Sequence, residues 1–411
     1  MERVKKLGSR TFSSLKIRNY RLYFIGQAIS LSGSWMQTIG QSWLVLKLTN
    51  SGTALGLLIA FQFLPLSLLT PWGGIAADRF SKHKLLYITQ SISGVLALIL
   101  GLLVAFDAVQ LWMIYALALA LGLVNAVDKP TRQTFVLEMV GEKELVNAVS
   151  LNSAQVNLSR VIGPAIGGVL IATVGIASCF IINAVSYLAV LIALFMMKPE
   201  HLNRTHRAEY VKGQLREGFR YVWSTPVLRD TLFMMLIIGT FSYEFIVSLP
   251  LFAQFTFHGD AGIYAALTAA MGMGSVAGGL FSANRRNIDA HLLVGAAFLF
   301  GFAMLLTAIA PTFILAMLAL VFVGFFSINF LSLCNVILQI ESVPEMRGRV
   351  MALWTVAFLG STPVGGPIIG WIGQHAGPRW GLAVGGCAAI FAAGYGLTTL
   401  GKERYRKIAN K

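Results

Sequence analysis

Three ionisable side chains lie well inside long apolar stretches of the sequence, and they are Asp128, Arg160 and Glu244. Charge is costly in such a stretch, so each is a candidate functional residue. Glu244 stands in Phe-Ser-Tyr-Glu-Phe, with no basic residue within one helical turn. A carboxyl group buried without a cationic partner favours its protonated form, which suits a residue that binds and releases a proton. The alternative is a structural carboxyl that hydrogen-bonds serine or backbone groups and holds two parts of the protein in register.

The other two charges have more than one interpretation. Arg160 is a counter-ion, a substrate ligand or a clamp between helices, and packing or clamping is favoured. Asp128 stands beside Lys129 and near Arg132, so an ion network at the cytoplasmic end of its helix is favoured over a role in a cavity. Pro130 is expected to kink or end that helix, because proline lacks the backbone N–H that a helix needs.

Polar side chains also recur at helical spacing in two apolar stretches. They are Gln27, Ser34, Gln37 and Gln41 in the first stretch and Asn152, Gln155 and Ser159 in the fifth. One face of the first helix is therefore predicted to meet a cavity or a partner helix, and the fifth to carry a wet face. Aromatic and methionine side chains suit an adaptable apolar cavity. The candidate cavity residues are Trp35, Gln37, Gln41, Asn152, Gln155 and Tyr243.

The elements that must hold these residues are membrane-spanning helices. Of 411 residues, 56% are hydrophobic and 12% are charged. Apolar runs longer than about 18 residues recur, which indicates a polytopic helical membrane protein and excludes a soluble one. The net charge of +15 does not indicate nucleic acid, since 29 of 32 Lys and Arg residues lie in segments that the positive-inside rule places in the cytoplasm. We expect an even number of spans, both termini in the cytoplasm and a bacterial-type inner membrane.

Motifs for enzymatic chemistry are missing from the sequence. It has no nucleotide-binding loop, zinc-protease pair or nucleophile elbow. The cysteines, Cys179, Cys334 and Cys387, lack the spacing of a metal site and are expected to be small core residues. We therefore expect no enzyme activity, no metal and no cofactor, with active transport driven by an ion gradient.

The chain contains its own pattern twice. Glu138 precedes Gly163 by 25 residues, as Glu341 precedes Gly366, and both glycines are followed by proline. An all-α fold of twelve spans in two parallel six-helix repeats is therefore predicted. Its parts are a basic amphipathic lead-in at 1–19, a first half at 20–197, a cytoplasmic linker at 198–226, a second half at 227–400 and a basic tail at 401–411.

Residues 73–84 end an apolar run with an acid and several basic residues, in the order Gly-Gly-Ile-Ala-Ala-Asp-Arg-Phe-Ser-Lys-His-Lys. This stretch resembles the signature of the major facilitator superfamily, in which G-x-x-x-D-R/K-x-x-R/K fills the loop between the second and third membrane helices. The resemblance implies a cytoplasmic gate that latches the two halves of a transporter, formed by Gly73, Gly74, Asp78, Arg79 and Lys82. The alternative is a positive-inside anchor with an incidental aspartate. The stretch recurs at residues 278–286, with Ala283 in place of the acid.

Further motifs narrow the resemblance. Three stretches look like the branch that contains the enterobactin exporter and macrolide efflux pumps. They are Asp-Lys-Pro-Thr-Arg-Gln at 128–133, Asn-Ala-Val-Ser-Leu-Asn-Ser at 147–153 and Arg-Val-Ile-Gly-Pro at 160–164. Gly163, Pro164, Gly167 and Gly168 match the core of an antiporter motif. Ser150 and Ser159 replace upstream glycines of that motif, and Ser34 stands where many members carry aspartate.

The branch implies export of drugs or siderophores in exchange for protons, by alternating access. A second transporter hypothesis is a lipid or lysophospholipid flippase of the same fold. A membrane sensor or membrane-embedded enzyme is a remote third. The expected partners are an amphipathic small molecule and the lipid bilayer, without nucleic acid, and a monomer is expected because each chain contains both halves.

Overall fold

The computed structural model describes residues 12–203, 214–283, 285 and 289–409, apart from the side chains of residues 71, 78, 214–216 and 401–409. The described residues form helices joined by short turns, without a strand. Contacts divide the chain into two compact units. The first comprises Met1–Gln41 and Leu64–Glu209, and the second comprises Ser42–Phe63 and Tyr210–Lys411. The division thus falls inside the first two long helices.

Five long helices begin in the amino-terminal part of the chain. They are α1 (Arg18–Thr49), α2 (Gly52–Arg79), α3 (Lys82–Ala105), α4 (Leu111–Thr173) and α5 (Ile176–Phe195). In the first unit, α3 packs against α4 and α5. A buried cluster that includes Tyr20, Tyr23, Phe135 and Met139 joins α1 to α4. The first unit therefore holds its helices by apolar contacts of the kind the sequence predicts.

Helix α4 is 63 residues long and is broken at Gly141, where φ is 70° and ψ is 176°. Helix α4 does not end at Pro130 but continues through it, and its departure from helical dihedral angles lies at Gly141, so a kink at Pro130 stays a prediction. Pro130 cannot donate to the carbonyl of Ala126, four residues earlier. Gly73 of α2 lies directly against that carbonyl oxygen, so the helix remains packed where its own hydrogen bond is missing.

The second unit contains the remaining helices. They are α6 (Gln214–Ser224), α7 (Pro226–Phe241), α8 (Phe245–Leu251), α9 (Ala261–Ala283), α10 (Ala290–Ile309), α11 (Phe313–Ile340), α12 (Arg347–Leu359), α13 (Thr362–His375) and α14 (Pro378–Ala409). A π-helical turn, Phe252–Thr256, continues α8. Helix α9 packs along α11, and α10 packs along α14.

Residues 42–63, the adjoining ends of α1 and α2, pack within the second unit. A Cβ at Gly56 would lie 2.5 Å from the carbonyl oxygen of Gly366. Ser51 Oγ donates to Gln374 Oε1 at 2.7 Å. The rings of Trp43 and Tyr264 stack with their centroids 6.4 Å apart. Close backbone approach and side-chain pairs thus join this segment to α9 and α13.

The long helices correspond to twelve membrane spans. Ten helical stretches of the described part are long and apolar enough to cross a membrane. One of them is α4, which has the length of two spans, one on each side of Gly141. The polar helix α1, with 32 residues, supplies the remaining span.

The repeat predicted from the sequence recurs in the packing of paired glycines. In α2, Gly73 packs against the Ala126 carbonyl, whereas a Cβ at Gly74 would meet none of the described atoms within 4 Å. In α9, a Cβ at Gly278 would lie 2.5 Å from the Phe325 carbonyl oxygen, whereas a Cβ at Gly279 would again have no described atom within 4 Å. The first glycine of each pair therefore permits close helix packing, and the second does not.

The cysteines are placed differently from one another. Cys179 and Cys334 are buried, as expected, but Cys387 is exposed, so the expectation of a core position is wrong there. Its neighbour Gly386 packs against Gly301 of α10. A residue one position further along a helix points about 100° away, which turns Cys387 from that contact.

Candidate coupling and transport site

Glu244 lies at a break in the seventh span. Helix α7 ends at Phe241 and α8 begins at Phe245, so the continuous span expected around Glu244 is interrupted. The backbone carbonyl of Glu244 accepts hydrogen bonds from the N–H groups of Val247 at 3.1 Å and Ser248 at 2.9 Å. Glu244 therefore lies just before the first turn of α8 and not within α7.

The eleventh span is broken beside it, since α12 ends at Leu359 and α13 begins at Thr362. Thr362, the first residue of α13, lies beside the Glu244 carboxyl. A Cβ at Gly365 would lie 2.9 Å from Glu244 Oε1, and Gly365 also lies against the carbonyl oxygen of Thr240. The carboxyl group thus occupies the amino-terminal turn of α13, where the helix dipole favours negative charge.

The Glu244 side chain is buried and incompletely hydrogen-bonded. Only 3% of the residue is exposed, and within the described part of the chain no donor reaches Oε1. A buried carboxylate oxygen without a donor is energetically costly. Binding a proton or a cation at that oxygen removes the cost. The geometry therefore fits a group that exchanges a positive charge during a cycle.

Tyr243 belongs to an aromatic cluster at the same break. Its ring centroid lies 5.1 Å from that of Phe358 and 5.4 Å from that of Phe300. Its hydroxyl donates to the Ser327 carbonyl at 2.7 Å. These contacts join the break between α7 and α8 to α10, α11 and α12. The role of Tyr243 in substrate binding stays a prediction.

Asp128 and Arg132 form an ion pair within α4 of the first unit. Asp128 is 1% exposed, and its Oδ1 accepts hydrogen bonds from Thr89 at 2.6 Å and Gln90 at 2.7 Å, both on α3. Arg132 donates to Oδ2 through Nε at 3.0 Å and through Nη2. Arg132 Nη1 donates to Gln27 Oε1 of α1 at 2.7 Å. The network joins three helices, and its action as a gate stays a prediction.

The predicted cytoplasmic gate is described in part. Arg79 is exposed, and the side chain of Asp78 lies outside the described residues. Lys82 is largely buried and pairs with Glu138 Oε1 of α4 at 2.6 Å. Gly73 makes the close helix contact described above, and Gly74 makes none. The stretch thus ties α2 and α3 to α4, and latching of the two halves stays a prediction.

Arg160 and the glycine motif that follows it lie where α4 packs on α1. The Arg160 guanidinium carbon is 5.3 Å from the ring centroid of Trp35, a cation–π distance. A Cβ at Gly163 would lie 2.5 Å from Trp35 Cβ, and one at Gly167 would lie 3.2 Å from Met36 Cγ. Pro164 and Gly168 are also buried. These contacts place Arg160 between two helices, and its role as a clamp stays a prediction.

The polar faces of α1 and α4 meet other helices. Asn183 of α5 donates to Gln37 Oε1 at 2.6 Å, and Gln155 Nε2 donates to the Phe24 carbonyl at 2.8 Å. Gln41 is buried and Asn152 is half-buried. The prediction of a wet face on the fifth span is wrong for Gln155, because amide groups in apolar surroundings pair across helices. Substrate contact by Gln37, Gln41 and Asn152 stays a prediction.

Sequence reasoning missed two features of the second unit. Thr362 and Gly365 carry no charge, so a search for intramembrane charges passes over them. Asp230, near the start of the seventh span, is not among the candidates from sequence, yet it is buried. It accepts hydrogen bonds from Arg229 Nε and from the Tyr395 hydroxyl, both at 2.9 Å. The adjacent Arg229 was the signal in the sequence that Asp230 has a charged partner. Tyr395 lies 165 positions away and could not be assigned to it.

Comparison with known proteins identifies the class. Residues 9–402 match the model of the family described as transmembrane secretion effector, and the chain belongs to this family of major facilitator superfamily transporters. It is 27% identical over 363 residues to the multidrug efflux pump Tap of Mycolicibacterium fortuitum, covering 84% of this chain and 88% of the pump. It is 25% identical over 393 residues to the enterobactin exporter EntS of Shigella flexneri, covering 93% and 90% of the two chains.

The solved structures agree on the fold. A POT family transporter crystallised in complex with 5-aminolevulinic acid matches with a TM-score of 0.76 at 10% identity, over 94% of this chain and 96% of that chain. At that identity the likeness concerns the fold alone. The predicted superfamily, its branch and the twelve-span fold class are confirmed, and the protein is an integral membrane transporter.

Proposed function

We propose that this protein is a proton-coupled exporter of amphipathic small molecules such as drugs, macrolides or siderophores. The observation that carries the proposal is the buried Glu244 carboxyl at the meeting point of two broken spans, where one of its oxygens has no donor among the described residues. The relatives named as a multidrug efflux pump and an enterobactin exporter support the substrate class. The protein works as a monomer in the bacterial inner membrane with both termini in the cytoplasm, without a cofactor, enzyme activity or nucleic acid.

The proposed cycle follows from the charge at the break. A substrate enters the cavity from the cytoplasm or the inner leaflet while Glu244 is ionised and held by Thr362 at the start of α13. Closure at Asp78 and Arg79 and opening to the outside follow, with Asp128 and Arg160 tuning the gate. Protonation of Glu244 from outside removes the negative charge that attracts the positive end of α13. The two broken spans are then free to shift, and substrate is released.

The test is efflux of a panel of fluorescent amphiphilic drugs from proteoliposomes of defined orientation under an imposed pH gradient. Glu244→Gln keeps the shape of the side chain but cannot take up a proton, so gradient-driven efflux is expected to be lost. Asp230→Asn is the matched control. It changes a buried carboxyl of the same span that already has Arg229 and Tyr395 as partners, and gradient-driven efflux is expected to persist.

The outcomes separate the hypotheses. Efflux that neither the gradient nor Glu244→Gln changes makes Glu244 structural and replaces proton coupling by facilitated diffusion. Uptake of labelled lysophospholipid without drug efflux favours the flippase. Thermal unfolding of each purified variant in detergent shows whether a loss of transport is a loss of folded protein.

A further inference from the structure

Helix α6, in the linker that precedes the seventh span, is attached to the second unit by one face. Glu217 pairs with Arg349 Nη1 of α12 at 2.7 Å. A Cβ at Gly218 would lie 2.9 Å from Arg349 Cβ, so the helix backbone rests on that side chain. The Tyr221 hydroxyl accepts a hydrogen bond from the Val343 N–H at 3.2 Å. Val222 is buried beside these contacts.

Another face of α6 carries two large apolar side chains that the described protein leaves open. Phe219 is 55% exposed and Trp223 is 63% exposed. They are four residues apart and lie on the same face of the helix. Their rings stack with centroids 5.6 Å apart and an interplanar angle of 23°. Arg220 beside them is also exposed. The helix thus presents a preformed aromatic pair next to a positive charge.

The surroundings of this pair indicate a lipid surface. Trp223 lies three residues before Pro226, where a helical stretch long and apolar enough to cross a membrane begins. Trp is enriched where spans enter the headgroup region, and an interfacial helix combines aromatic residues with basic ones. Glu217 is neutralised by Arg349, which leaves Arg220 and, by sequence, Arg216 as the charges of the helix. Anionic headgroups are complementary to that charge.

We propose that α6 is an interfacial helix that lies on the cytoplasmic leaflet of the bilayer that the protein spans, with Phe219 and Trp223 in the headgroup region and Arg220 on anionic lipid phosphates. The attachment to Arg349 fixes the rotation of α6, so the aromatic pair faces the lipid without reorganisation. Because α12 ends at the break beside Glu244, the helix also anchors one side of that junction to the membrane.

The experiment measures tryptophan emission of the full-length protein in lipid nanodiscs, where both membrane faces are open to added quenchers. The signal of Trp223 is the difference between wild type and Trp223→Phe. Nanodiscs contain phosphatidylcholine alone or with phosphatidylglycerol, each with and without lipids brominated in the upper acyl chain. Iodide serves as the aqueous quencher. Trp112→Phe, which removes an exposed tryptophan far along the chain from α6, is the matched control for the subtraction.

We expect brominated lipid to remove most of the Trp223 emission and iodide to remove little of it. The quenching by brominated lipid is expected to be stronger with phosphatidylglycerol, and Arg220→Gln is expected to abolish that headgroup dependence. Quenching by iodide but not by lipid overturns the proposal, because the pair then faces water. Protection from both quenchers also overturns it, since the pair is then covered by protein. Quenching that ignores the headgroup overturns the role of Arg220.

Discussion

The Glu244 carboxyl has a polar neighbour that can be changed without altering the carboxyl itself. Its Oε1 has no donor among the described residues, and the Thr362 side chain lies beside the carboxyl. A hydroxyl that donates to a carboxylate stabilises the ionised form. If Glu244 is the proton carrier, Thr362 therefore helps to set the pH at which it loads and unloads.

Replacing Thr362 tests that role. Thr362→Val keeps the branched shape but removes the hydroxyl beside the Glu244 carboxyl. We expect the dependence of drug efflux on pH to change in proteoliposomes, whereas Thr362→Ser, which keeps the hydroxyl, leaves the profile near that of wild type. A profile that is the same for Thr362→Val and wild type contradicts a link between this hydroxyl and coupling.

The Asp128 network predicts an asymmetric loss of stability. Arg132→Gln leaves a fully buried carboxylate without its cation, whereas Asp128→Asn leaves an arginine whose side chain is 25% exposed and still bonded to Gln27. Removing one partner of a buried pair costs about 3–5 kcal/mol. We expect Arg132→Gln to lower the thermal unfolding midpoint in detergent more than Asp128→Asn does. The double variant should lose less stability than the sum of the losses in the two single variants. Strictly additive losses would contradict an energetic coupling between Asp128 and Arg132.

At the scale of helices, contacts between backbones decide where packing is tight. Three glycines each bring one helix against the main chain or Cβ of another. Gly73 lies against Ala126, Gly163 against Trp35 and Gly365 against Thr240. Small residues permit this approach in membranes, where apolar side chains gain little by leaving lipid. The breaks in the seventh and eleventh spans lie at one such contact, so the two helices are interrupted where they meet.

The neighbouring glycines of α9 offer a direct comparison of tight and open positions. A Cβ at Gly278 would meet the Phe325 carbonyl and Ile328 Cγ2, both at 2.5 Å, whereas a Cβ at Gly279 would have no atom of the described residues within 4 Å. Gly278→Ala should destabilise the protein by about 1–3 kcal/mol through overpacking. Gly279→Ala should be neutral or gain up to about 1 kcal/mol from helix propensity. Thermal unfolding of the two purified variants checks this, and equal midpoints would exclude the close contact.

Across the whole molecule, what was predictable from sequence depended on the range of the interaction. Hydropathy and the internal repeat predicted twelve spans, because both are properties of local stretches. The Asp128 and Arg132 pair was predictable because the residues are four positions apart in one helix. Gln27, 105 positions from its partner Arg132, was not assigned to the pair. The break at Glu244 was missed because it depends on Thr362 and Gly365, which follow more than a hundred residues later.

The segment 42–63 contacts α13 where α2 begins, and this contact bears on the transport cycle of the whole molecule. Ser51 at the start of α2 donates to Gln374 near the end of α13, and Gly52 lies against the Gly370 backbone. The orientation proposed above, with the amino terminus in the cytoplasm, puts this contact on the outer side of the membrane. In the proposed alternating-access cycle the outer ends of the halves separate when substrate is released, so we expect the contact to break once in each cycle.

A cross-link between these residues should stop transport reversibly. Ser51→Cys with Gln374→Cys, joined by a short reducible thiol reagent, is expected to abolish drug efflux in proteoliposomes, and reductant is expected to restore it. Each single-cysteine variant treated with the same reagent controls for modification of the exposed Cys387. Ser51 Oγ and Gln374 Oε1 are 2.7 Å apart, and cysteine is shorter than the glutamine it replaces, so the linker spans the gap that the shorter side chain leaves. Efflux at the wild-type rate in the cross-linked protein would mean that substrate leaves without parting α2 from α13.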